Sequence, residues 1–179
     1  PVMLDYIRLL EKEANLDFSK LKDYFKSFLP FMHGEEHIKV RKVINRRFSF
    51  GEVKKWRPKI AEIIARRLSM LEANKSYDLI VNIVDPLYMD FVELLFGVAI
   101  PDRDRFIRQI EIATNAVERM ASISQLRRLQ ETLTELESLV CKQIKTRNLD
   151  TLFGEIASDV ADDLEHSDIV SILLVLLIA

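Results

Sequence analysis

His33-Gly34-Glu35-Glu36-His37-Ile38-Lys39-Val40-Arg41-Lys42-Val43-Ile44-Asn45-Arg46-Arg47-Phe48-Ser49-Phe50 carries more local information than any other part of the chain. From Glu36 to Phe48 the pattern predicts a short helix, with Ile38, Val43 and Ile44 apolar and cationic residues crowding the other positions. His37 and Arg41 are four apart, so they project from one face about one turn from each other. A rigid guanidinium fork beside an imidazole donor suits a doubly anionic group, either a carboxylate cluster or a phosphate. The plainer alternative is a surface helix whose Arg pairs with a local Glu and whose His is solvated, because isolated i,i+4 pairs are common.

Outward from that helix, the composition limits the fold. A chain of 179 residues, 49% of them apolar, is long enough to bury a real core. Four Gly and five Pro are too few for the turns of a sheet-rich protein, so the expected class is all-α. The 26 basic residues against 28 acidic ones argue against a general nucleic-acid binder. One cysteine excludes a disulfide framework, and no Cys/His cluster has zinc-finger spacing. The first residues, Pro1-Val2-Met3-Leu4-Asp5-Tyr6, lack the charged-then-apolar pattern of a signal peptide, and the expected location is cytoplasmic.

Charge is unevenly spread. Lys39 to Arg67 is strongly basic, whereas Asp150 to Asp168 carries Glu155, Asp159, Asp162, Asp163 and Glu165 with no Lys or Arg. A basic face of this kind also suits RNA, but no aromatic residues interleave as stacking platforms. For each cation singly, a solvated helix face is an equally good reading.

In chain order, Pro1 to Ala14 predicts a helix with Leu4, Ile7 and Leu10 as its stripe. Ser19 is the expected cap of a second helix, whose apolar face is Leu21, Tyr24, Phe25 and Phe28, with Pro30 after its end. A long helix is expected from Glu52 to Leu71, with Ile60, Ile63, Ile64, Leu68 and Leu71 at helical spacing; Pro58 either kinks it or marks its first turn. Tyr77 to Asn82 leads into a helix from Pro86 to Phe96 closed by Gly97. Two long helices follow, from Pro101 to about Met120 and from Ser122 to Lys145, the second striped by Leu126, Leu129, Leu133, Leu136, Val140 and Ile144. Last comes a helix capped by Ser167 and apolar all round from Ile169 to Ile178. It is too short for a membrane span, so it reads as a helix buried on every side.

The order Glu36-His37-x-x-x-Arg41 followed by Arg46-Arg47-Phe48-Ser49 closely resembles the C-helix signature of bacterial cytochrome P450 enzymes, the heme-thiolate monooxygenases. The family commonly places Pro where this sequence has Gly34 or Glu35. Glu93-Leu94-Leu95-Phe96-Gly97-Val98 is similar to the close of that family's E helix. Ser167-Asp168-Ile169-Val170 is similar to the start of its I helix, and the two long helices between match its F and G helices. The resemblance implies that His37 and Arg41 hold the heme propionates, that the helix ending at Ala179 crosses over the heme, and that the F/G-like helices roof a pocket for a small organic substrate. It also implies that Lys39, Lys42, Arg46 and Arg47 dock an acidic, ferredoxin-type electron donor.

The resemblance runs from about Leu29 to Ala179 and covers less than half of a full enzyme. It implies a single partial P450-like domain: N-terminal helices in 1–30, C/D-like helices in 31–71, an E-like helix in 78–97, F/G-like helices in 101–146, and H-like and truncated I-like helices in 150–179. The oxygen-activating Thr, the Glu-x-x-Arg pair, the N-terminal strands and the loop carrying the thiolate ligand are absent. That thiolate defines the iron's chemistry. Cys141 lies within an amphipathic helix without the loop's glycines and reads as an ordinary helical cysteine. The expectation is therefore a piece or truncated relative of a heme monooxygenase, inactive alone, whose Ile169–Ile178 face packs on a second chain or drives self-association. Two rivals stand beside it. One is a helical interaction module without cofactor. The other is a zinc peptidase, since His33-x-x-Glu36-His37 fits the inverted zincin pattern; that pattern needs both His on one helix, and Gly34 places a boundary inside it.

Overall fold

A computed structural model describes residues 2–28, 31–97, 100–118, 121–146, 150–161, 164 and 166–178. Among them no strand occurs, and the chain is a succession of α-helices. They are α1 (Val2–Ala14), α2 (Ser19–Ser27), α3 (Gly34–Arg47), α4 (Phe50–Ser69), α5 (Asp85–Phe96), α6 (Arg103–Glu118), α7 (Ile123–Thr146), α8 (Leu152–Val160) and α9 (His166–Ile178). A π-helical turn, Ile80–Val84, leads directly into α5.

The core is built around α9. Ile169, Val170, Ile172, Leu173, Leu174, Val175, Leu177 and Ile178 are all buried, and α9 packs on α2, α6, α7 and α8. From α5, the Tyr88 hydroxyl donates to the Leu177 carbonyl at 3.4 Å. This corrects the expected self-association: the apolar face of Ile169–Ile178 is covered within its own chain, because four helices surround a segment apolar on all sides. Ala179, Asp162, Asp163 and Glu165 lie outside the described residues, as does Pro30.

The α7 stripe is the other half of that core. Leu126, Leu129, Leu133, Leu136 and Val140 are buried, and Ile144 packs at its edge. α6 and α7 run antiparallel, bridged by Arg105 to Glu135 at 2.7 Å near one end. Ser122 and Gln125 cap α7 reciprocally: the Ser122 N–H donates to Gln125 Oε1 at 2.7 Å and the Gln125 N–H to Ser122 Oγ at 3.4 Å. In α2, Leu21, Tyr24 and Phe25 are buried, and Tyr24, Phe25, Phe28 and Phe31 stack into one aromatic cluster.

Several boundaries differ from the sequence reading, each for a local reason. α3 begins at Gly34, which takes φ +72° and lets the chain turn sharply out of extended His33. Ser19 is not the cap of α2; it is the first helical residue, and its N–H is met by the Asp17 carboxylate at 2.8 Å. Likewise Ser167 falls inside α9, which begins at His166. Pro58 lies well inside α4 rather than in its first turn. The apolar residues of α4 keep their helical spacing, yet none of them is buried.

Candidate functional site

α3 is amphipathic in a particular way. Val40 is its buried anchor, Val43 and Ile44 are half-buried, and the helix rests on α8 and α4. Arg47 closes the inner face. Its Nε donates to Asp159 at 2.7 Å and its Nη1 to Glu155 at 2.9 Å. Arg46 pairs with the same Asp159 from the solvent side. The hydrogen bond from Arg47, more than any other contact, holds the Asp159 carboxyl below its ordinary range, and the same bond raises the Arg47 guanidinium.

His37 and Arg41 lie side by side on the outer flank of this helix. His37 is half-buried and Arg41 is exposed. Among the described residues neither side chain has a hydrogen bond or an ion pair, so the guanidinium fork and the imidazole donor both remain available to an anion. The arrangement can grip one or two carboxylates with charge-assisted hydrogen bonds. Lys39 and Lys42 are exposed on the neighbouring surface. With Val43, Arg46, Asp159, Val160 and Leu164 they border a groove of about 520 Å³ between α3 and α8.

The zincin pattern is divided by the fold. His33 caps α3 in an extended conformation while His37 sits one turn inside it. Among the described residues no group of three His, Cys, Asp or Glu is placed to hold a metal ion. Cys141 sits in the middle of α7 with its side chain against the core. Burial first, and then the nearby Glu137 charge, push its thiol pKa up, away from a ready thiolate.

A second charged centre escaped the sequence reading. Asp90, on α5, has a side chain only 5% exposed. Its carboxylate accepts from Arg67 Nε and Nη2, both at 2.6 Å, from Arg103 Nη1 at 3.1 Å and from Arg66 Nη2 at 3.3 Å. It thereby joins α4, α5 and α6. The signal in the sequence is a carboxylate set between Met89 and Phe91 in a mostly apolar helix that also carries Asp85 and Glu93.

No family model matches the chain. Cytochrome P450 FAS1 of Rhodococcoides fascians is 27% identical to it over 143 residues, which is 77% of this chain and 34% of that protein. The crystal structure of P450BioI in complex with hexadec-9Z-enoic acid ligated acyl carrier protein superposes with a TM-score of 0.74, at 17% identity, over 89% of this chain and 43% of that one. Cytochrome P450 TxtC, which acts in thaxtomin hydroxylation, gives a TM-score of 0.68 at 18% identity, over 87% of this chain and 42% of that one. OxyE, a cytochrome P450 involved in teicoplanin biosynthesis, gives 0.64 at 17% identity, over 93% and 41%. The chain has a partial cytochrome P450 fold.

It spans well under half the length of the P450s it matches, and the match lies in their helical part. No helix among the described residues is long and apolar enough to cross a membrane.

Proposed function

We propose that this chain supplies the propionate-binding and roof helices of a heme-dependent monooxygenase, and that alone it inserts no oxygen. The observation that carries the reading is the free His37–Arg41 pair on α3, in a chain whose fold is P450-like. Arg41 would donate its guanidinium N–H groups to a propionate, and His37 would add a single imidazole donor beside it. When heme is bound, it supplies the iron chemistry by which a P450 oxidises a small organic substrate. The residues present fit the propionates and not the iron, since Cys141 is half-buried against the core within α7 and its thiol pKa is raised. α6 and α7 form the roof over the substrate side, and Ala179, outside the described residues, is assigned to the heme's upper face by resemblance alone. Of the four cations matched to donor docking, Lys39 and Lys42 are exposed and unpaired among the described residues. These two are assigned to a ferredoxin-type electron donor, with Arg46 at the edge. Arg47 is occupied by Asp159 and Glu155 and contributes to positioning α3 instead.

Titration of the purified chain with hemin tests the reading. Saturable binding is expected, and His37→Ala together with Arg41→Ala should weaken it by roughly tenfold to a hundredfold, as expected for losing exposed charge-assisted hydrogen bonds. After reduction under carbon monoxide, the bound heme should lack a thiolate-type spectrum. Binding that ignores both substitutions, or no binding, would leave a helical interaction module as the better account.

A further inference from the structure

Between α2, α7 and α9, which pack on one another, lies an open cavity of about 350 Å³. Its floor is apolar: Leu21, Leu133, Val170 and Leu174 line it and are buried. In its wall Gln130 ties α2 to α7, with Oε1 accepting the Leu21 N–H and Nε2 donating to the Asp17 carbonyl, both at 3.3 Å. Tyr24 lines the same cavity and is only 9% exposed. Among the described residues its hydroxyl has no hydrogen-bond partner, yet the oxygen is not sealed from solvent, so it opens onto the cavity. A polar group this deep without a partner calls for one, and a ligand atom in the cavity would supply it. Burial raises the Tyr24 pKa, so the group stays a neutral phenol that can donate and accept.

The rim sets the sign of that ligand. Asp168 is half-buried and Glu137 exposed, and neither carboxylate has a hydrogen bond or ion pair among the described residues. Asp23, which pairs with Lys26 at 2.9 Å, adds a third carboxylate, and Lys20 is the one cation in the described lining. That balance favours a cationic head group over an anionic one. We propose that the cavity between α2, α7 and α9 is a binding site for a small amphipathic amine, an organic ammonium on an apolar body. The ammonium lies against Asp168 and Glu137, the Tyr24 hydroxyl accepts one of its N–H groups, and the apolar body covers the floor. α3 contributes no residue to the cavity, so the site stands apart from the His37–Arg41 pair and does not depend on heme binding.

The test titrates the heme-free chain with phenylbutylamine, phenylbutanol and phenylbutyrate, which share one apolar body and differ in the charge of the head group. Affinity and location are read together from amide chemical shifts of the isotope-labelled chain. The amine is expected to bind saturably and about tenfold or more tighter than the alcohol, with the carboxylate weakest and the shifts confined to α2, α7 and α9. Tyr24→Phe removes only the oxygen and should weaken the amine by about three- to tenfold. Glu137→Gln with Asp168→Asn should bring the amine down to the level of the alcohol. Glu62→Gln with Asp104→Asn, the same loss of charge on exposed residues outside the cavity, should leave the preference intact. Equal binding of amine and alcohol, no binding at millimolar concentration, or shifts centred on other helices overturns the proposal. So does a preference that survives Glu137→Gln with Asp168→Asn, or an affinity that Tyr24→Phe leaves unchanged. The comparison of amine with alcohol uses the unaltered chain and is decisive whatever the fate of the variants.

Discussion

Replacing Asp90 by Ala is expected to lower the unfolding free energy by about 3 kcal/mol, read as a lower urea midpoint at unchanged slope. The Asp90 side chain is 5% exposed, and it is the point where Arg67, Arg103 and Arg66 converge. Removing it leaves these cations facing one another, with Arg67 only 23% exposed and least able to recover hydration. Arg66 is 56% exposed and contributes little to the total. The acid limb gives a second readout. Arg67, more than any other group, holds the Asp90 carboxyl at about 2, below its ordinary 3.8, against the opposing effect of burial. A depressed carboxyl contributes stability that is complete above the unfolded pKa and lost as pH falls through the folded one. The difference between the chain and its Asp90→Asn variant should therefore be constant above about pH 5 and shrink by about 2 kcal/mol as pH falls from about 4 to 2. A difference that stays constant down to pH 2 would contradict this assignment.

Gly97→Ala should destabilise the chain by about 3 kcal/mol, measured the same way. Gly97 ends α5 at φ +67°, its N–H donating to the Glu93 carbonyl at 3.1 Å. A side chain in that left-handed conformation costs about 1–2 kcal/mol. The remainder is contact: an added Cβ would lie 2.3 Å from Thr151 Cγ2. Thr151 is not free to turn aside, because its Oγ1 accepts the Gly154 N–H at 3.1 Å and caps α8, and that cap is worth about 1 kcal/mol. Thr151→Ser removes the methyl group and keeps the oxygen. In that background Gly97→Ala should lose the left-handed part and the milder 3.0 Å contacts with Gln143 Nε2 and the Cβ at 151 but not the 2.3 Å one, so the two substitutions couple by about 1 kcal/mol in a double-mutant cycle. Strict additivity would mean that the close approach of α5 and α8 is not what excludes a side chain.

Periodicity made most of this fold legible. The stripes of α2 and α7 and the all-round apolarity of α9 predict burial, and those residues are buried except Phe28, Ile144 and Leu176, which are half-buried at the edge of the core. Periodicity reports that a face needs cover and says nothing of what covers it. That is why α9 was expected on another chain and lies inside its own, while α4, with an equally good stripe, has no buried residue. Charge was legible in kind but not in pairing. The basic run at Lys39–Arg67 and the acidic run at Asp150–Asp168 are plain in the sequence, yet only the fold brings Arg46 and Arg47 to Asp159 and leaves Lys39 and Lys42 outside. The centre at Asp90 depends on residues from three helices, Arg66 and Arg67, Asp90 itself, and Arg103, and no local pattern joins them. The His37–Arg41 pair was legible because both residues belong to one helix and i,i+4 spacing alone places them together.

The most direct test of the heme reading compares hemin with its dimethyl ester, which has the same macrocycle and iron but no propionate charge. If His37 and Arg41 grip the propionates, the chain should bind hemin at least tenfold more tightly than the ester, and the preference should vanish when both residues are changed to Ala. Equal affinity for the two, or a preference that survives the double substitution, would show that α3 does not carry the propionate half of a heme site.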